Sequence, residues 1–96
     1  MTVFIATLTV KDAKAADFET LQTELSKLTH ENEPDTFVYD VIKHREKPGT
    51  YVVYARFKDE AAFDHHMQTE FHDRLVPPIM ECLDGEMILE FFDHVA

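Results

Sequence analysis

Residues 36–58, TFVYDVIKHREKPGTYVVYARFK, decide the fold. Two runs rich in β-branched and aromatic residues, 36–46 and 51–58, flank the turn Lys47-Pro48-Gly49-Thr50. Such runs read as strands, and proline followed by glycine reads as the turn of a hairpin. Working outward, residues 2–11 (TVFIATLTVK) form an earlier strand and 86–93 (EMILEFFD) a last one. Between the first strand and the hairpin, Phe18, Leu21, Leu25 and Leu28 step by three and four, which marks one buried stripe of a helix over about 13–32. Asp12 is placed to cap it and Pro34-Asp35 to end it. After the hairpin, Asp59 caps a second helix carrying Ala62, Phe63, His66 and Met67. Residues 71–83 continue it, with a break expected at Pro77-Pro78, because proline removes a donor and clashes with the preceding turn. Asp84-Gly85 stops it.

The order is β-α-β-β-α-β, an α+β ferredoxin-like pattern with a four-stranded antiparallel sheet in one domain spanning 1–96. Two helices cover one face of such a sheet, so its strands should alternate apolar and polar residues. They do not. Val3 and Ile5 share one face of the first strand while Phe4, Ala6, Leu8 and Val10 share the other. In the last strand Met87, Leu89 and Phe91 oppose Ile88 and Phe92. The second face needs an apolar cover, and a second copy packed sheet to sheet is the simplest one. A homodimer is expected, with a patch for a different partner as the alternative.

Composition narrows the function. At 96 residues the chain buries roughly 60–70% of its surface. Apolar residues at 45% fit a globular protein, and the net charge of −10 argues against a nucleic-acid or anionic-membrane surface. Cys82 is the only cysteine, which excludes an internal disulfide and favours a reducing compartment. The N-terminus runs straight into a strand pattern without a secretory signal, and no stretch approaches a membrane span, so a cytoplasmic location is expected.

Three segments carry a family resemblance. Glu33-Pro34-Asp35-Thr36-Phe37-Val38-Tyr39 resembles a Glu-Pro-Gly-x-x-x-Tyr lead-in to the second strand. Val52-Val53-Tyr54-Ala55-Arg56-Phe57-Lys58-Asp59 resembles a third strand written apolar-apolar-Tyr-Glu-x-Trp-x-Asp. The run from Glu60 to Phe71 resembles Ala-apolar-x-x-His-x-x-Thr-x-x-Phe. Together they are similar to the antibiotic biosynthesis monooxygenase family of dimeric α/β barrels. Asp35, Ala55 and Phe57 stand where that family usually has glycine, glutamate and tryptophan. The missing glutamate makes a mechanism borrowed whole from the family unsafe, and the absence of any tryptophan counts against its haem-degrading branch.

The resemblance implies oxygenation of a small quinol or polyphenol without a metal or other cofactor. The protein supplies a base, an apolar pocket and protection from water. His66 is the base by motif position, and a core histidine bonded to a backbone carbonyl is the plainer alternative. Tyr39 is expected to reach a ligand oxygen and Asn32 to polarise a carbonyl, against simpler roles in core packing and helix termination. Strand parity puts Phe37, Tyr39 and Val41, and likewise Tyr51, Val53, Ala55 and Phe57, toward the helices. The expected pocket wall is Phe37, Val53, Phe57, Phe63, Met67 and Phe71. Arg56, on the opposite parity, is expected in an intersubunit ion pair, with binding of an anionic substrate as the alternative. No metal site is expected, because no two histidines have the four-residue helical spacing among His65, His66 and His72. Two other functions stay open: a proton-shifting isomerase of a small carbonyl compound, and a non-catalytic dimeric binding or stress-response module.

Overall fold

The computed structural model describes residues 1–96. Its elements are β1 (Thr2–Thr9), a 3-10 turn at Asp12–Lys14, α1 (Ala15–Asn32), β2 (Thr36–Lys43), β3 (Thr50–Phe57), α2 (Glu60–Met67), α3 (Glu70–Glu81) and β4 (Ile88–Asp93). The four strands form one antiparallel sheet in the order β2-β3-β1-β4. This is the ferredoxin-like α+β arrangement. No helix is long and apolar enough to cross a membrane.

The helices cover one face only. Phe4, Ala6 and Leu8 of β1 and Tyr51, Val53, Ala55 and Phe57 of β3 are buried beneath them, joined by Phe18, Leu25, Leu75 and Ile79. The other face carries Val3, Ile5, Val52, Tyr54, Ile42, Ile88 and Phe92 in register. Ile42, Ile88 and Phe92 are exposed. Gly49 makes the hairpin turn possible: its φ is +73°, and a Cβ there would lie 2.9 Å from the Val10 carbonyl oxygen.

Several local expectations change. Asp12 sits in the 3-10 turn, and α1 starts at Ala15 with no side-chain cap. The buried stripe of α1 is Phe18, Gln22, Leu25 and Thr29, while Leu21 and Leu28 are partly buried. The break in the second helical segment falls at Gln68-Thr69 rather than at Pro77-Pro78. There the Thr69 side chain accepts from the His72 N–H and starts α3. Both prolines continue the helix. The carbonyls they leave without donors, on Asp73 and Arg74, belong to exposed residues that water can satisfy. A bulge between Thr36 and Val38 interrupts the alternation of β2. Thr36 and Tyr39 are both buried as a result, and Phe37 is 45% exposed instead of facing the helices.

Candidate active site

The end of α1, the start of β2 and the last turn of α2 converge on one buried carboxylate–imidazole pair. Glu33 follows the last turn of α1, its N–H bonded to the Thr29 carbonyl. Pro34 ends the helix there, and the chain turns into β2. Thr36, held inward by the bulge, donates its hydroxyl to Glu33 Oε1 at 2.8 Å. Asp59 caps α2 by accepting from the Ala62 N–H at 2.9 Å, which sets the phase that aims His66 inward. His66 Nδ1 then lies 3.0 Å from both carboxylate oxygens of Glu33. Both side chains are almost fully enclosed, at 1% and 2% exposure.

A carboxylate at this position is costly unless partnered, because it combines burial with the negative end of a helix. Thr36 and His66 supply the partners. The contact also fixes chemistry. An Nδ1–H donated to Glu33 leaves Nε2 as the proton acceptor, and Nε2 bonds to nothing within the chain. The ring packs among Tyr39 and Phe57, each with centroids at 5.4 Å, and His72 at 5.0 Å.

His66 borders a cavity of about 130 Å³ between sheet and helices. Of the sixteen lining residues thirteen are hydrophobic; the other three are Gln22, His66 and His72. Tyr39 donates its hydroxyl to Gln22 Oε1 at 3.3 Å. Burial, then the nearby charge of Glu33, raises the Tyr39 phenol above its ordinary range, so it stays protonated as a donor. Burial, then the neighbouring His66, lowers the His72 imidazole. A larger depression of about 560 Å³ lies between α1 and β2, but it is a polar surface groove that His66 does not reach.

The structure brings Tyr39, His66, Val53, Phe63 and Met67 to this one cavity. It places four other expected residues elsewhere. Asn32 is exposed and donates to the Leu28 carbonyl at 2.8 Å. Phe37 is on the surface. Phe57 is fully buried against the His66 ring and does not line the cavity, and Phe71 is core. Nothing in the sequence alone assigns Glu33 or His72 to the site. Gln22 carried a usable signal: a polar residue four after Phe18 and three before Leu25 shares their face of the helix.

A family model described as Antibiotic biosynthesis monooxygenase matches residues 1–77. Among solved structures, a protein from Caulobacter crescentus CB15 is 28% identical with a TM-score of 0.95, over 99% of this chain and 90% of its own. A protein described as an antibiotic biosynthesis monooxygenase is 30% identical with a TM-score of 0.91, over the full length of both chains. A conserved protein from Methanosarcina mazei Go1 is 26% identical with a TM-score of 0.90, over 95% of this chain and 89% of its own. No curated protein matches.

Proposed function

The chain belongs to the antibiotic biosynthesis monooxygenase family, and on that premise we propose that it oxidises a small quinol or polyphenol with dioxygen, using no metal or organic cofactor. The observation that carries this reading is the Glu33–His66 pair beside an apolar cavity. His66 Nε2 takes a phenolic proton from the bound substrate, and Glu33 balances the charge that forms on the ring. The phenolate gives one electron to dioxygen. The resulting semiquinone and superoxide combine as a peroxide at a ring C–H carbon. Protonation and loss of water leave a hydroxyquinone. One oxygen atom ends on the ring, the other leaves as water, and the quinol supplies all four electrons. Tyr39, whose one proton goes to Gln22, accepts from the second substrate hydroxyl and so orients the ring, and the apolar wall keeps water from the intermediate.

The working unit in this proposal is a homodimer closed sheet to sheet over the uncovered face. Arg56 supports that assembly: its Nε is enclosed yet has no partner within the chain. Asp40 and Glu90 stand on the same face, where a two-fold copy can present one of them to it.

Oxygen consumption across a panel of quinols tests the reaction. His66→Ala should lower kcat about 10²–10⁴-fold, and Glu33→Gln should lower it by about 10² or more with KM little changed. Absence of uptake above the uncatalysed rate with every quinol would remove the proposal. Turnover of a carbonyl substrate under strict anaerobiosis would favour the isomerase instead.

A further inference from the structure

We infer that the cavity beside His66 selects uncharged single-ring dihydroxybenzenes and rejects both fused-ring and anionic quinols. This rests on the oxygenase reading for the identity of the ligand, and on size and charge for the selection.

Size sets the first limit. The cavity measures about 130 Å³. An apolar protein cavity of about 150 Å³ holds one benzene, whereas pockets for drug-sized ligands run to roughly 300–1,000 Å³. Its sheet wall is stiff. Phe4, Ala6, Leu8, Tyr39 and Val53 belong to the sheet and are at most 8% exposed. The adjustable part is the mouth, where Met67, Met80 and Leu89 are 44%, 42% and 42% exposed. Unbranched methionines bend around a ring substituent such as a methyl group.

Charge sets the second limit. No lysine or arginine lines the cavity. The one ionised group near its base, Glu33, is negative, and its hydrogen bonds go to Thr36 and His66. A substrate that loses one phenolic proton to His66 leaves an imidazolium to match its own charge. A substrate that also carries a carboxylate brings a second negative charge with no cation to meet it, and an unpaired charge in an apolar site is strongly disfavoured.

The test is binding measured without oxygen. Three of the four methionines, Met67, Met80 and Met87, line the cavity, so their methyl NMR signals report occupancy directly. Under argon, methylhydroquinone should shift these signals saturably. Naphthohydroquinone should bind about tenfold more weakly or worse, and gentisate about 100-fold more weakly. Met80→Lys, which places a cation at the mouth, should narrow the gentisate deficit by about tenfold. The inference is overturned if gentisate or naphthohydroquinone binds the wild-type protein as tightly as methylhydroquinone, if Met80→Lys leaves the deficit unchanged, or if no quinol moves the methyl signals. Its failure is distinguishable from that of the oxygenase reading. Selective binding with no oxygen uptake in air refutes the reaction alone, and oxygen uptake without selectivity refutes the inference alone.

Discussion

On the proposed reading, Glu33 is where the chain spends stability on function. Its carboxylate lies at the negative end of α1, at 2% exposure, and is satisfied by Thr36 and His66 together. A hydrophobic residue there would avoid the desolvation cost, so the pair is better explained by what it does to the imidazole than by what it adds to folding. His72 shows the opposite arrangement in the same cavity. It sits in the first turn of α3, where the helix dipole disfavours a cation, and its imidazole is lowered by burial and by His66. The remaining charges that face it, Asp73 and Glu33, act the other way and do not cancel the shift. Protonation is therefore harder in the folded chain than in the unfolded one. That stability is complete above the ordinary value of 6.5 and is lost as pH falls through it toward the lowered folded value. Urea unfolding followed from about pH 7.5 down to about pH 5, where carboxylates stay mostly ionised, should show a decline that His72→Gln reduces. An unchanged slope in that variant would refute the assignment. In the sequence His66 is visible from its motif position, but its partner is not. Glu33 and His66 are 33 residues apart, and only the packed α1–β2 and α2 junctions bring them together.

The hairpin 36–58 was legible because its signals are local: β-branched runs, and a Pro-Gly turn whose glycine needs a positive φ. The second helical segment was not, because two local signals compete. Pro77-Pro78 reads as a break, yet the prolines sit late in α3 above exposed carbonyls and cost little there. Thr69 reads weakly, yet the turn at Gln68-Thr69 lets α2 and α3 take separate directions and brings His66 and His72 edge to face. Thr69 does two jobs at that turn, accepting from the His72 N–H at 3.3 Å and donating to the His66 carbonyl at 3.1 Å. Thr69→Ala should lower stability by about 1 kcal/mol, as loss of an N-cap does, measured as a shift of the thermal midpoint. Thr69→Ser should restore most of it, because the hydroxyl is what caps. The bulge at Phe37 was beyond sequence reasoning for a similar cause. Strict alternation assumes an unbroken ladder, and one extra residue reverses parity for everything before it.

The molecule as a whole has two apolar faces and helices for only one. The uncovered sheet face and the edge strand β4 leave Ile42, Ile88 and Phe92 at 56%, 59% and 44% exposure in a chain of 96 residues. A contiguous patch of this kind on a small domain marks an interaction site. Self-association suits it better than a foreign partner, because one face holds both the unpartnered Arg56 and the carboxylates of Asp40 and Glu90. In the proposed dimer, a two-fold axis through the sheet would pair unlike charges while apolar side chains met at the centre. The exposed residues give a clean test, since changing them leaves the protomer's own packing intact. Light scattering after size exclusion should return twice the protomer mass of 11.2 kDa for the wild-type chain. The double variant Ile42→Lys, Ile88→Lys should return the single mass with its circular dichroism unchanged, because each copy would replace two apolar contacts by charges that must lose their hydration on association. A wild-type chain that runs as a monomer at tens of micromolar would refute the dimer and leave the face to another partner. If the variant stays dimeric, the two copies meet elsewhere on the surface.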